Sequence, residues 1–251
     1  MKNLLFILLL SITAVAQGAT TFERDLEMAR NGDSDAQFRV AASYYHGQGV
    51  LKDDKEAVKW TRLAAEQGDV VAQFLLGDRY MFGTGVPQDH KEAVKWYRLA
   101  AEQGDAEAQF SLGASYSEGK GVLKNDREAA KWYRLAAEKG HVDGQYNLGV
   151  NYSEGKGVLQ DDRAAAKWYR LAAEQGDADA QYNLGILYAA GNGVLTNYIV
   201  SYSWINIARY SGHTATDKVF KLLAEDMSNS DVSQAQALSK RCLESDYKDC
   251  S

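Results

Sequence analysis

Two copies of a serine–lysine spacing are the residues of this sequence that most suggest catalysis. Ser117 and Lys120 stand in the run SEGK, and Ser153 and Lys156 stand in an identical run later in the chain. S-x-x-K is the spacing at which serine acylating enzymes such as β-lactamases hold a nucleophilic hydroxyl beside a lysine. That chemistry needs both side chains on one helical turn, but a glycine, which favours the end of a helix, lies between them. No K-T-G or S-D-N companion is present. We therefore interpret both copies as solvated loops.

Histidines and carboxylates, the other residues capable of chemistry, show no spacing that indicates a site. The four histidines stand at positions 46, 90, 141 and 213. None belongs to an H-E-x-x-H or Cys/His motif, and no P-loop occurs. Asp69, Asp105 and Asp177 each follow a glycine at one position of a repeat, which is typical of helix caps and not of acid–base pairs. The sequence therefore predicts no catalytic residue, no metal and no cofactor, and a protein that is not an enzyme.

The sequence contains two cysteines, Cys242 and Cys250, both near its end. In an oxidising compartment an even, closely spaced pair favours one disulfide. A pair of free thiols and a bond to another protein are the alternatives that the sequence leaves open.

The chain has an acidic balance and an apolar N-terminal segment. Its formal charge is −6, and no Lys/Arg cluster stands clear of Asp and Glu, so nucleic acid is not an expected partner. Residues 1–16 combine Lys2, the apolar run 4–12 and the small residues Ala14 and Ala16, which is typical of a signal peptide cut after Ala16. The run is too short to span a bilayer and no second one follows. We expect a periplasmic or secreted protein with no stable membrane insertion.

A repeat of 36 residues organises most of the chain. Tryptophan, tyrosine and glycine recur at this step in Trp60, Trp96, Trp132, Trp168 and Trp204, in Tyr44, Tyr80, Tyr116, Tyr152 and Tyr188, and in Gly49, Gly85, Gly121, Gly157 and Gly193. A fixed period of this length indicates a stacked array. We place five repeats at 36–71, 72–107, 108–143, 144–179 and 180–215, between a capping helix at 17–35 and further capping helices at 216–251.

Each repeat is predicted to be a pair of helices. In the third repeat, Leu112 and Tyr116 lie on one apolar face of the first helix, and Gly119 ends that helix. The second helix of the first repeat opens on Asp53 with Glu56 three residues later, which predicts a capping box. A helix pair of this size cannot bury both of its flanks alone. Each copy therefore needs a neighbour, with the tryptophan buried between them.

A longer motif recurs in register with this repeat. In the second repeat it consists of Ala72, Gln73, Leu76, Gly77, Tyr80, Gly83, Gly85, Val86, Asp89, Ala93, Trp96, Ala100, Ala101 and Gly104. The motif resembles that of the Sel1-like repeat family, a relative of the tetratricopeptide repeat, over residues 36–212. The first repeat departs from it with Val40 and Ala41 in place of Leu-Gly, and the fifth with Ser201 and Arg209 in alanine columns.

The resemblance implies an all-α fold, a right-handed α-solenoid superhelix of helix–turn–helix repeats. It also implies a role in protein–protein interaction or as an adaptor, and exported bacterial members are similar to envelope regulators and host-interaction factors. Some cysteine-rich relatives are labelled β-lactamases, but they bridge the two helices of each repeat with disulfides, which this sequence cannot do.

In tetratricopeptide-like arrays the first helices line the concave face, so first-helix residues that stacking does not require are candidates for binding. One set is an aromatic row with one member per repeat, for which packing between successive first helices is the alternative. The candidates are Phe38, Phe74, Phe110, Tyr146 and Tyr182 in that row, and Tyr45, His46, Met81, Phe82, Glu118 and Glu154 in two variable columns beside it. Such a groove is apolar at one end and acidic at the other, which suits an extended peptide with an apolar end and a basic end.

The sequence thus predicts a monomeric, non-enzymatic exported adaptor or regulator that binds another protein or an extended peptide in a concave groove. Two alternatives come from other classes. One is a cell-wall or β-lactam hydrolase of the cysteine-rich repeat type. The other is a structural envelope protein or an inhibitor of an enzyme.

Overall fold

The computed structural model describes residues 21–250, and all of the regular structure within them is helical. The predicted signal peptide 1–16 lies outside the described residues. The helices are α1 (21–30), α2 (Ser34–His46), α3 (Asp54–Glu66), α4 (Val70–Phe82), α5 (His90–Glu102), α6 (Ala106–Glu118), α7 (Asp126–Glu138), α8 (Val142–Glu154), α9 (Asp162–Ala173), α10 (Ala178–Ala190), α11 (Tyr198–Tyr210), α12 (Thr216–Asp226) and α13 (Asn229–Glu244). Consecutive helices pack as pairs in the manner of an α-solenoid, which confirms the predicted all-α fold class.

The chain divides into two compact units, one ending at Lys124 and the other beginning at Asn125. The first unit contains α1–α6 and the second contains α7–α13. Helix α1 lies in the predicted N-terminal capping segment, and α12 and α13 lie in the predicted C-terminal one. No helix within residues 21–250 combines the length and the apolar character needed to cross a membrane.

Each first helix begins on a side-chain cap. Asp69 and Asp105 accept hydrogen bonds from the backbone N–H groups of Ala72 and Ala108, each at 2.7 Å. In the second unit Asp177 accepts from the N–H of Ala180 at 2.6 Å. These bonds satisfy amides that the first turn of a helix leaves unpaired. The prediction that the recurring aspartates are helix caps is therefore confirmed.

The second helices are capped from one side only, so the predicted capping box at Asp53 is wrong. The Asp53 carboxylate accepts from the N–H groups of Lys55 and Glu56, at 2.9 and 3.1 Å. The reciprocal bond from Asp53 to Glu56 is replaced, because the Asp53 N–H donates to the carbonyl of Tyr44 at 2.9 Å. The Glu56 carboxylate instead pairs with Lys59 at 3.2 Å. The cap residue thus joins the two helices of its repeat.

The second glycine of each G-x-G run is required by a close approach between repeats. Gly85 has φ +76°, and a Cβ there would lie 2.2 Å from the carbonyl oxygen of Asp54 at the start of α3. In the second unit Gly193 has φ +70°, and its Cβ would lie 2.3 Å from Asp162 at the start of α9. A side chain at either position would meet both a strained backbone and a backbone collision. These glycines therefore form contacts between neighbouring repeats and do not form a phosphate cradle.

The Leu-Gly glycine of the repeat makes room for a large side chain of the second helix. A Cβ on Gly77 would lie 2.5 Å from the ring of Tyr97, which is buried. In the first repeat the same two positions hold Ala41 and Thr61. The extra methyl group at residue 41 thus occurs together with a smaller side chain at residue 61. This pairing gives a physical reason for the departure of the first repeat from the motif.

A buried glutamine near the start of each first helix ties it to the preceding repeat. The Gln73 amide donates to the carbonyl of Ala65 at 3.1 Å, and its oxygen accepts from Gln103 at 2.8 Å. In the second unit Gln181 donates to Ala173 at 3.1 Å. The acceptor side of Gln181 has no partner there, because position 211 holds serine where the first, second and fourth repeats hold Gln67, Gln103 and Gln175.

The tryptophans are buried as expected at four positions, whereas Trp168 is half-buried. The indole N–H groups of Trp60, Trp96 and Trp132 have no hydrogen-bond partner among the described residues. The column therefore contributes through apolar packing, at about 1.5–3 kcal/mol for a fully buried large side chain. The burial of an unpaired N–H offsets part of that contribution.

The fifth repeat forms the same helix pair, although Ser201 and Arg209 replace alanines of the repeat motif. The Ser201 hydroxyl, fully buried, donates to the carbonyl of Gly185 at 2.8 Å, so it adds a bond between α11 and α10. Arg209 is exposed, where its guanidinium lies 3.7 Å from the Asp217 carboxylate and over the ring of Phe220. The alanine column is on the surface at this repeat, which explains why arginine is tolerated.

The C-terminal helices close the second unit. Cys242 and Cys250 are joined by a disulfide, and both sulfur-bearing residues are buried in the core cluster that includes Trp204 and Leu187. An ion pair at 2.9 Å between Arg241 and Asp249 spans the same turn. The disulfide therefore holds the last described residues against α13.

The paired change at residues 41 and 61 predicts a non-additive response to mutation. Thr61→Tyr should destabilise the protein by about 1–3 kcal/mol, because the ring meets the Ala41 methyl group in a packed core. Adding Ala41→Gly should recover most of that loss, since it recreates the glycine–tyrosine pairing of the second repeat. Chemical denaturation of the wild type, the two single variants and the double variant measures the coupling. Additive losses would contradict the proposed compensation.

The unpaired glutamine of the fifth repeat predicts a stabilising substitution. Ser211→Gln should raise the free energy of unfolding by about 0.5–1 kcal/mol, because the new amide can donate to the Gln181 oxygen at the cost of side-chain entropy. Ser211→Ala is the matched control and should change stability by less. Thermal and urea unfolding give the comparison, and equal stabilities of the Gln and Ala variants would argue against the missing bond.

Candidate functional site

The serine–lysine runs do not form a nucleophilic pair. Helix α6 ends at Glu118, and Gly119 adopts the left-handed conformation with φ 72°, its N–H bonded to the carbonyl of Ser115. The Lys120 ammonium lies past this turn, 2.5 Å from the Glu118 carboxylate. In the second unit Lys156 pairs with Glu154, and this hydrogen bond raises the pKa of Lys156. An amine held as an ammonium ion is a poor acceptor for a serine proton.

Metal-ligating side chains also remain apart. Among residues 21–250, no three His, Cys, Asp or Glu side chains come close enough together to hold a metal ion. His141 caps α8 by accepting the N–H of Gly144 at 3.2 Å, and His213 stacks on Tyr182 with ring centroids 4.1 Å apart. These two histidines therefore have structural contacts.

The predicted aromatic row is half-buried, and its members pack against second helices. Phe74 lies 6.0 Å from Tyr97 between ring centroids, within the second repeat. In the second unit Tyr146 lies 5.9 Å from Tyr169 in the same way, and Tyr182 packs beside Ile205. Phe38 and Phe110 are likewise half-buried. Tyr146 also interacts with the side chain of Asn183 on α10, the next first helix, and Phe38 packs against a core cluster that includes Ala72 and Leu76 of α4. The row thus packs both within repeats and between successive first helices, in line with the packing that the sequence suggested as the alternative to binding.

The apolar candidates of the two variable columns lie in the first unit, at the ends of α2 and α4. Phe82, the last residue of α4, is 72% exposed, and Tyr45, near the end of α2, is 36% exposed. Met81 is half-buried beside Phe82, and His46 is exposed, with its ring 4.8 Å from that of Tyr45. Exposed apolar side chains also occur elsewhere in the described chain, as at Leu159, so what distinguishes this place is that several of them lie together.

A shallow cavity of about 250 Å³ lies next to Phe82. Its lining includes Met81, Phe82, Tyr97 and Phe110, with Glu118 and Lys120 at polar positions. The cavity is smaller than the roughly 300–1,000 Å³ of typical small-molecule pockets. Its size suits one large side chain of another polypeptide better than a cofactor.

One residue of the cavity wall, the buried Tyr97, is hydrogen-bonded to the half-buried Asp78, which does not line the cavity. The Tyr97 hydroxyl donates to the Asp78 carboxylate at 2.7 Å. Burial raises the pKa of Tyr97, and the neighbouring Asp78 raises it further. Burial also raises the pKa of Asp78, an effect that the hydrogen bond from Tyr97 opposes. The Tyr97 phenol stays protonated at neutral pH and gives the cavity a fixed, uncharged wall.

Sequence reasoning missed a fourth residue of this surface, Arg79. Its guanidinium carbon lies 3.9 Å above the centroid of the Tyr45 ring, a cation–π contact between α4 and α2. The other repeats hold serine, asparagine or leucine at this position, in Ser43, Ser115, Asn151 and Leu187. That single departure from the repeat was a signal the sequence contained. We call Tyr45, Arg79, Met81 and Phe82 the Tyr45–Phe82 surface.

The acidic members of the variable columns each have a lysine partner. Glu118 pairs with Lys120 in the first unit, and Glu154 with Lys156 in the second. Each pair is about half exposed, so solvent weakens its attraction. The local charge at both glutamates is therefore balanced.

The comparisons with known proteins agree with this architecture. A sequence model of the Sel1 repeat matches residues 34–69, 70–105, 106–141, 142–177 and 178–213. Each match begins at the first residue of a first helix, two residues before the starts taken from the sequence. A comparison with curated protein sequences gave no significant match.

Two solved structures are similar to this chain. A protective antigen present in uropathogenic Escherichia coli strains, which displays an SLR fold, is 37% identical over 89% of this chain with a TM-score of 0.73. The similarity covers 52% of that antigen, so this chain spans about half of its length. A Sel1 repeat protein from Oxalobacter formigenes is 34% identical, with a TM-score of 0.68, over 82% of this chain and 86% of its own. With five matched repeats over most of its length, this chain belongs to the Sel1 repeat family.

Proposed function

We propose that this protein is a non-enzymatic adaptor or regulator that binds another protein, or an extended peptide of it, at the Tyr45–Phe82 surface. The observation that carries the proposal is Phe82, which is 72% exposed beside a cavity of one side chain's size. Other repeats place histidine, glutamate or alanine at this position, in His46, Glu118, Glu154 and Ala190. Stacking of the repeats therefore does not require a phenylalanine here.

The family supports the class of this function. Sel1 repeat proteins typically serve as protein-interaction scaffolds and are generally non-catalytic. Exposed aromatic side chains beside a pocket are the residues that most often dominate binding energy at protein interfaces. Two members of the aromatic row, Phe38 and Phe74, add contact area on the same helices, α2 and α4, although both are half-buried.

The proposal includes export to the periplasm or beyond. Residues 1–16 have the composition of a signal peptide, and the bond between Cys242 and Cys250 suits an oxidising compartment. An acidic chain without a basic face also favours a protein partner over nucleic acid. We take the binding form to be a monomer.

Removal of the exposed ring tests the binding role. A photocrosslinking amino acid at position 88, which lines the cavity, should trap the partner in intact cells, and mass spectrometry should identify it. Phe82→Ala should reduce the crosslinked product at least tenfold, with a smaller loss for Tyr45→Ala, because these rings provide the apolar contact.

Leu159→Ala is the matched control, since Leu159 is 90% exposed in the second unit and lies outside the proposed surface. Unfolding curves should be unchanged for all three variants. An undiminished product with Phe82→Ala would contradict the proposed surface. Recovery of glycan alone would favour a cell-wall role.

A further inference from the structure

We propose that Arg79 is a binding site for a side-chain carboxylate, so that the Tyr45–Phe82 surface selects a peptide with an acidic residue beside a large apolar one. This inference rests on the proposed peptide binding and assigns its chemistry. The partner expected from the sequence had a basic end, whereas the cation at this end of the surface favours an acidic one.

The guanidinium of Arg79 is held in place by an aromatic ring. It lies over Tyr45 at 3.9 Å, and the ring of Tyr45 is also 5.2 Å from the Lys52 ammonium. A guanidinium stacked on a ring keeps its N–H groups around its edge, in the plane where a carboxylate accepts two parallel hydrogen bonds. Since the side chain is already ordered, binding loses less conformational entropy.

The donors of Arg79 are not used within the described chain. Arg62 and Arg98, on second helices of the same unit, donate to the hydroxyl groups of Tyr80 and Tyr116. Arg79 donates no side-chain hydrogen bond to a residue in 21–250, although its charge acts on the neighbouring Asp78 carboxylate and opposes the rise that burial causes in the pKa of that group. The carboxylate of its neighbour Asp78 accepts instead from Tyr97. Arg79 therefore presents a charged, fork-shaped donor that the fold leaves available to another molecule.

The order of Arg79 and Phe82 on α4 guides the design of a peptide. The two residues are three apart, a separation at which Cβ atoms on a helix are about 5–6 Å apart. The guanidinium extends over Tyr45 of α2, whereas the cavity is lined by residues of α4, α5 and α6. Because alternate side chains of an extended peptide lie on one side about 6.6 Å apart, the acidic and apolar residues are assigned to positions i and i+2 of the peptide.

Fluorescence anisotropy with two labelled peptides tests this assignment on the full chain. The probes are fluorescein–GSGEALGSG-amide and fluorescein–GSGKALGSG-amide, which differ by one charge reversal. The wild-type protein should bind the glutamate peptide at least tenfold more tightly than the lysine peptide. Added salt should reduce the ratio of the two dissociation constants, because it screens the charge of Arg79. Arg79→Glu should reverse the preference, and Arg79→Lys should weaken the glutamate peptide several-fold because lysine lacks the planar fork.

Arg30→Glu is the matched control, because it makes the same charge change on the exposed face of α1 and should leave the ratio unaltered. Unfolding curves that match the wild type should show that the variants are folded. A third probe, fluorescein–GSGSAL with a free C-terminus, presents only a terminal carboxylate. Its binding as tightly as the glutamate peptide would overturn the assignment to a side-chain group.

The outcomes separate this inference from the proposed function. Equal binding of both charged peptides, lost with Phe82→Ala, would overturn the role of Arg79 and leave the binding surface intact. If neither peptide binds but crosslinking at position 88 still depends on Phe82, the role of Arg79 is again overturned and the binding surface is kept. If neither peptide binds and Phe82→Ala leaves the crosslinking unchanged, both the role of Arg79 and the binding surface are overturned.

Discussion

The buried glutamine at the start of each first helix is the interaction on which the array depends. Gln73 donates to the last turn of α3 through Ala65 and accepts from Gln103 at the end of the next helix, so one amide ties together three helices. The donor bond to the preceding helix is present in all five repeats, whereas the oxygens of Gln109 and Gln181 have no partner among the described residues. The donor bond is favoured because a buried amide left without it would lose the hydrogen bonds it makes with water in the unfolded chain. The glutamine therefore specifies the register between repeats, and apolar packing provides most of the stabilisation.

This scaffold separates residues that hold the repeats together from residues that are free to differ. Gly85 permits the loop to touch the preceding helix, and Gly77 admits the ring of Tyr97. Neither constraint involves Tyr45 or Phe82, which lie in the last turns of α2 and α4. The departures at Tyr45, Arg79 and Phe82 all occur there, in adjacent repeats of the first unit. A repeat protein can therefore acquire a local binding surface without altering the contacts that stabilise it.

The glycine that ends each first helix also separates the serine and the lysine of the S-x-x-K runs. Gly119 ends α6 between Ser117 and Lys120, and the lysine turns back to neutralise Glu118. The S-x-x-K spacing therefore arises from the same helix-ending turn in two repeats. The cavity nearby is lined by the Tyr97 phenol, which donates a hydrogen bond to the half-buried Asp78 carboxylate. This hydrogen bond fixes the position of the ring in the cavity wall.

The sequence alone determined the fold class, the helix pairs and the caps at Asp69, Asp105 and Asp177, because these depend on local patterns that recur at a fixed step. It also indicated Tyr45 and Phe82 as departures from the repeat. Only the tertiary structure showed that the Asp53 N–H donates to the Tyr44 carbonyl and that the Arg79 guanidinium packs on the Tyr45 ring. It also gave the reason why Ala41 and Thr61 occur together in the first repeat. These features join residues of different helices, 9 to 34 positions apart in the chain. Their partners depend on how helices approach one another in space, which a pattern along the sequence does not contain.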